Sequence, residues 1–178
     1  MRKTLFTSSL ILLLSLTAAA QGDTPKAELF GGYSYAGDST HGFDGSVAVN
    51  VNEWVGVVAD FGSQFTDING TDSREEIRTQ TYMFGPQFSV RRHRRVTPFA
   101  RALFGAARVQ TEATEFGQTF AFADTSFALA VGGGLDVRVN DRVAVRVIQA
   151  EYVRTGFFGE TQNKGLISAG VVIRFGKK

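Results

Sequence analysis

The chain has 178 residues, of which 43% are hydrophobic, with 20 glycines, 16 phenylalanines and no cysteine. Its 19 Lys+Arg and 17 Asp+Glu give a formal net charge of +2, which excludes the strong basicity that marks most nucleic-acid-binding domains. The missing cysteines exclude a disulfide framework, and the length is that of a single domain.

Residues 1–20 have the pattern of a secretory signal peptide. An Arg-Lys pair precedes an apolar segment at 10–16, and three alanines then offer a small-residue cleavage site. The apolar segment is shorter than the roughly 20 residues that a membrane-spanning helix needs. Cleavage after residue 20 would remove two basic residues and leave 17 Lys+Arg (19 − 2 = 17) against 17 Asp+Glu, a net charge of zero. We therefore expect an exported domain at 21–178.

The exported part alternates apolar and polar residues at every second position, which predicts β-strands. No apolar stretch after residue 20 is long enough for a transmembrane helix. The predicted strands lie near 26–36, 42–51, 54–62, 79–90, 96–109, 123–139, 142–154 and 165–175.

The two faces of each predicted strand differ in character. In the second strand Phe43, Val47 and Val49 share a bulky apolar face, opposite Asp44 and Ser46. A soluble lipocalin-like barrel would turn the apolar face inward, whereas a membrane barrel turns it to lipid and fills its interior with small and polar groups. Alternation alone leaves both possibilities open.

The connections favour the membrane barrel. Tight turns are predicted at Asn52-Glu53 and Asn140-Asp141, and another short connection at 91–95. The connection near 37–41 is also short, and longer polar loops are predicted near 63–78, 110–122 and 155–164. Long and short connections mostly alternate, as in membrane barrels with short periplasmic turns and longer outer loops.

Glycines and charges share the predicted inner face. The inward glycines, which leave room for larger side chains, are Gly56, Gly85, Gly105, Gly132, Gly134 and Gly170. An unpaired Arg facing lipid at mid-membrane costs about 2–4 kcal/mol, so the charges are expected to point inward and pair. Arg146 and Glu151 both face inward only if a β-bulge lies between Val147 and Ala150. Alternation places the carboxylates of Glu28, Asp60 and Asp136 on this face, with Arg101 and Arg146 as their expected counterparts. The predicted lumen charge network, which would plug the barrel, is Glu28, Asp60, Arg101, Asp136, Arg146 and Glu151.

The last strand resembles the terminal recognition strand of outer-membrane proteins. Ser168, Gly170, Ile173 and Phe175 occupy the positions of that signal, although three residues follow the aromatic one that often ends such proteins. The resemblance implies docking of this strand on the barrel-assembly machinery during biogenesis.

Over nearly its whole length the exported part resembles the small OmpA-like outer-membrane β-barrel family. The segments that carry the likeness are 28–35, 84–88, 97–99 with 103–105, and 170–176. The resemblance implies an all-β, eight-stranded antiparallel up-and-down transmembrane β-barrel in the outer membrane, in contact with its lipids. It implies no single activity. We expect a monomer without a cofactor, a metal or a nucleic-acid partner.

The two histidines give little support to an enzyme. His41 is predicted in the first outer loop and His93 in a turn at the opposite end, so they cannot share a catalytic or metal site. Asp38, Ser39 and Thr40 beside His41 are the only candidate triad partners, and a polar loop explains them better.

The basic turn Arg91, Arg92, Arg94 and Arg95 is interpreted as a solvated periplasmic turn at the lower edge of the barrel. Binding of anionic lipid headgroups or of a periplasmic polymer is the alternative. The sequence as a whole favours a non-enzymatic structural or interaction protein with a charge-plugged lumen and outer loops facing the exterior. A narrow porin, or a soluble periplasmic lipocalin-like binder, remains the alternative function.

Overall fold

The computed structural model describes residues 24–37, 40–69, 74–92, 95–115, 118–157 and 160–177. These residues form a closed barrel in which each strand pairs antiparallel with the next and β1 pairs with β8. The strands are β1 (Pro25–Tyr35), β2 (Thr40–Asn50), β3 (Val55–Asn69), β4 (Arg74–Ser89), β5 (Val96–Glu115), β6 (Gln118–Arg138), β7 (Val143–Phe157) and β8 (Glu160–Lys177). The predicted eight-stranded up-and-down barrel is confirmed.

The prediction of long polar loops near 63–78, 110–122 and 155–164 was wrong. Most of these residues continue the strands, and the β5–β6 ladder runs without interruption to the pair Glu115 and Gln118. These segments are rich in threonine and glutamine, so their composition suggested loops. Threonine nevertheless favours strands, and the backbone pairing continues with polar side chains.

The barrel has two unlike ends. We call the end formed by the connections 51–54, 90–95 and 139–142 the turn end, and the opposite end the extended end. β5 has 20 residues and β6 has 21, whereas about 9–11 are enough to cross a bilayer. The β5–β6 hairpin therefore projects well beyond the hydrocarbon layer at the extended end.

The packing is inside-out relative to a soluble protein. Among the described residues, 21 polar or charged residues are buried against 12 hydrophobic ones, while 26 large hydrophobic residues are exposed. Phe43, Phe127 and Ile167, each more than half exposed, belong to this outer apolar surface. A continuous exposed apolar surface of this size requires lipid, which excludes the soluble lipocalin-like alternative. Within the described part of the chain, no helix has the length and apolarity needed to cross a membrane.

Two turns at the turn end repeat one hydrogen-bond pattern. The Asn52 side-chain oxygen accepts from the backbone N–H groups of Trp54 and Val55 at 2.8 Å. Asn140 accepts in the same way from Arg142 and Val143. Each asparagine thus satisfies two backbone donors of a short connection, as Asx turns do. The predicted turn positions are confirmed.

A β-bulge in β7 sets the inward residues of that strand. The register shifts between Arg146 and Gln149 relative to β8, and Val147 and Ile148 are both exposed. Because two consecutive residues face lipid, Arg146 and Glu151 both point into the lumen. The predicted bulge is confirmed.

Candidate functional site: the charged lumen

The lumen nearest the turn end is organised around Glu28. Its Oε1 accepts from Arg174 Nε at 3.1 Å, and its Oε2 accepts from Arg91 Nη2 at 3.0 Å. Asn50 joins the group by donating to Glu28 Oε2 at 3.2 Å and accepting from Arg91. One carboxylate therefore links β1, β2, β8 and the β4–β5 connection.

The next group is built on Arg146. Its guanidinium donates to both Asp136 oxygens at 2.8 and 3.2 Å, a bidentate pair between β6 and β7. The guanidinium carbon lies 4.3 Å from the Phe30 ring centroid and 4.1 Å from that of Phe99. Two aromatic faces thus enclose the cation and add cation–π attraction to the ion pair.

The third group is built on Arg101, which is 3% exposed. It donates to Glu151 in a bidentate pair, from Nε to Oε1 at 2.6 Å and from Nη2 to Oε2 at 2.8 Å. The same Nη2 lies 2.9 Å from Asp60 Oδ2 and 3.9 Å from Asp44 Oδ2. A single guanidinium of β5 thereby lies within 4 Å of carboxylates from β2, β3 and β7.

Gln149 connects the second and third groups. Its Oε1 accepts from Arg146 Nη1 at 2.6 Å, and its Nε2 donates to Asp44 at 2.8 Å and to Glu151 at 3.1 Å. Ser168 of β8 also lies 3.1 Å from Asp44. Such a shared polar network is rigid because its central members, Arg101 and Asp44, are held by partners on several strands.

An apolar layer follows Arg101 towards the extended end. Along β5 the inward positions after Arg101 include Leu103 and Ala107, both 0% exposed. They pack with Met83, Ala128, Ala130 and Val153 in one cluster, which Val109 and Leu166 border. Beyond this layer the lumen contains a cavity of about 210 Å³.

The structure places all six predicted network residues in the lumen, each with at most 7% of its surface exposed. It pairs Arg101 with Asp60 and Glu151, and Arg146 with Asp136. Glu28 was expected to pair with Arg101 or Arg146. It pairs instead with Arg91 and Arg174, because those two arginines reach the same end of the lumen.

Sequence reasoning missed Asp44, Gln149 and Arg174 as members of the network. Asp44 and Arg174 lie on the small-residue face that alternation defines, so parity could have identified them. Gln149 faces inward only because the bulge falls at Val147-Ile148, a position that the pattern left undetermined. The interior aromatic rings were also missed, because bulky apolar residues were assigned to the lipid face.

The structure places the arginines of the basic turn in different environments. Arg91 turns into the lumen, where it donates to Glu28, and its interpretation as part of a solvated turn was wrong. Arg92 and Arg95 are exposed. Arg94, like the neighbouring His93, lies outside the described residues.

The residues of the predicted assembly signal divide between the two faces of β8. Ser168 is buried and Gly170 faces the lumen, whereas Ile173 and Phe175 are exposed to the lipid side. The structure leaves their role in assembly as a prediction.

His41 lies on β2, with its ring 6.4 Å from that of Tyr33 and nearly parallel to it. Its neighbours Asp38 and Ser39 lie outside the described residues. Among the residues that the structure describes, no group of three His, Cys, Asp or Glu side chains is placed to hold a metal ion.

The model of the outer membrane protein beta-barrel domain family matches residues 6–175. The chain belongs to this family. It is therefore an outer-membrane β-barrel protein. A comparison of its sequence with curated proteins finds no significant match.

Solved structures share the fold at low sequence identity. The barrel is similar to Ail, the attachment invasion locus protein of Yersinia pestis, with 19% identity and a TM-score of 0.63 over 85% of this chain and 99% of Ail. It is also similar to Neisserial surface protein A, with 16% identity and a TM-score of 0.59 over 84% and 96% of the two chains. The N-terminal barrel of Pseudomonas aeruginosa OprF matches at 11% identity and a TM-score of 0.52, over 85% and 98%.

Proposed function

We propose that this outer-membrane protein is a non-enzymatic barrel with a closed lumen, which acts through surfaces at its extended end. The observation that carries the proposal is the Arg101 group. Arg101 on β5 contacts carboxylates on β2, β3 and β7, and Gln149 and Ser168 extend the contacts to β8. The network thus spans the lumen from several sides of a narrow eight-stranded cylinder, whose interior side chains can fill.

The mutual pairing of the charged side chains in the lumen supports a structural role. Four guanidiniums and five carboxylates are engaged with one another, and each bidentate pair fixes two strands. A catalytic acid or base must exchange a proton with a substrate, whereas these groups form ion pairs and hydrogen bonds with one another. The arrangement suits rigidity better than turnover.

The length asymmetry supports an exterior role for the extended end. Membrane barrels place short turns on the periplasmic side and longer structures outside. Here the additional length consists of paired β-strand. The β5–β6 hairpin therefore extends outside the membrane as hydrogen-bonded β-structure. Ail, which is named for attachment and invasion, is a precedent for an interaction role on this fold.

The closed lumen can be tested by recording from the purified protein in planar lipid bilayers. We expect the wild type to give no discrete conductance, because the Arg101 group fills the lumen. The triple variant Arg101→Ser/Leu103→Ser/Glu151→Ser removes the bidentate pair at the centre of the plug together with Leu103 of the apolar layer above it, and we expect it to conduct in discrete steps.

Arg154→Ala removes an arginine from the exposed side of β7 and is the matched control. It should give no discrete conductance. Heat-dependent gel mobility verifies that each variant is folded. Steady, discrete conductance by the wild type would overturn the closed lumen and favour the narrow porin.

A further inference from the structure

The cavity at the extended end combines an apolar floor with a polar wall. Its floor is formed by Val109, Val153 and Leu166, which pack against the inner apolar cluster that includes Leu103 and Ala107. The described wall consists largely of threonines and glutamines. Water on the floor would find few hydrogen-bond partners, whereas an apolar group would be well accommodated there.

One cation lies on the wall of this cavity. Lys164 of β8 is the only charged side chain among the described lining residues. It makes no ion pair within the part of the chain that the structure describes. Thr155, which lies close to Lys164 on the neighbouring strand β7, is also in the lining and carries a hydroxyl group that can donate to an anion.

The size of the cavity limits the ligand. A dry cavity of about 150 Å³ accommodates benzene, so about 210 Å³ admits a ring or a short chain with a small polar group. The cavity is also blind, because the apolar layer and the Arg101 group lie beneath its floor. A ligand would therefore enter and leave by the extended end.

We propose that this cavity is a binding site for a small monocarboxylate with an apolar body. The apolar body lies on Val109, Val153 and Leu166, and the carboxylate meets Lys164 and the Thr155 hydroxyl. This binding function goes beyond the structural role proposed above. It does not depend on whether the lumen below conducts ions.

The test uses 4-fluorophenylacetate as the probe, observed by ¹⁹F NMR with the barrel in nanodiscs of zwitterionic lipid. We expect saturable line broadening that empty nanodiscs do not produce. The neutral amide, 4-fluorophenylacetamide, should bind the wild type about fivefold more weakly, as expected for the loss of one partly exposed ion pair.

Two variants test the two halves of the site. Lys164→Gln should weaken binding of the acid about fivefold and bring it level with the amide. Val109→Phe should fill the floor and abolish saturable binding of both probes, with gel mobility confirming that the variant is folded. Arg154→Gln removes a cation from the outer wall of the barrel and should leave binding unchanged.

Broadening equal to that of empty nanodiscs, or broadening that does not saturate, would overturn the proposal. Equal binding of the acid by the wild type and by Lys164→Gln would overturn it as well. The bilayer recordings are independent of these outcomes, so failure of the site and failure of the closed lumen are distinguishable.

Discussion

Replacing Arg101 by alanine is expected to lower the free energy of unfolding by about 3–5 kcal/mol, the range seen when one partner of a buried ion pair is removed. Arg101 is the only described cation in contact with Asp60 and Glu151, and it also lies 3.9 Å from Asp44. Its loss leaves three buried carboxylates close together. Denaturant unfolding of the refolded barrel can be followed through Trp54, the single tryptophan of the chain.

Two further variants separate the charge effect from simple loss of packing. Arg154→Ala, on the exposed side of β7, should change stability by less than about 0.5 kcal/mol. Adding Glu151→Gln to Arg101→Ala removes one of the orphaned charges and should recover part of the lost stability. Equal stability of Arg101→Ala and the wild type would contradict the network described here.

Gly85→Ala is expected to destabilise the barrel by about 1–3 kcal/mol, the range for forcing extra atoms into a packed interior. Gly85 faces the lumen on β4, where a Cβ atom would overlap the backbone carbonyl of Ala102 on β5. The neighbouring strand must then shift. Because that carbonyl belongs to the backbone, no side-chain rotation can relieve the overlap.

Gly31→Ala is the matched control for this prediction. Gly31 is exposed on the outer face of β1, and a Cβ atom there would meet no other atom within 4 Å. The same change should therefore be neutral or stabilise by up to about 1 kcal/mol, since alanine restricts the unfolded chain. An equal loss of unfolding free energy in both variants would show that the close approach of β5 does not explain why glycine is needed at position 85.

Much of the fold followed from alternation. The period of two assigned Asp60 and Asp136 to the lumen and Phe43 and Val47 to lipid, because the two faces of each strand meet different surroundings. The bulge in β7 followed from the odd spacing of Arg146 and Glu151. Both inferences use the cost of exposing a charge to lipid. That cost depends only on the residue and on the face of its own strand, so it can be deduced from the sequence.

The missed features depend on tertiary structure. Alternation shows which residues face inward but not how high each one lies along the barrel axis. Because only residues at the same height can pair, the partner of Glu28 was assigned wrongly. Phe30 and Phe99 lie two residues from the inward Glu28 and Arg101, but the sequence does not show that Arg146 fits between their rings, a contact between three different strands. The extended hairpin was missed because paired strands outside the membrane no longer need apolar residues.

The measurement that tests the account most directly is thiol labelling on intact cells, because the proposed roles require the extended end to face outward. The chain has no cysteine, so each variant carries a single reactive thiol. Thr161→Cys lies at the extended end and Glu53→Cys at the turn end, and both parent residues are exposed. With a membrane-impermeant maleimide, we predict labelling of Thr161→Cys on intact cells, and of Glu53→Cys only after the outer membrane is permeabilised. Labelling of Glu53→Cys, and not of Thr161→Cys, on intact cells would contradict the account.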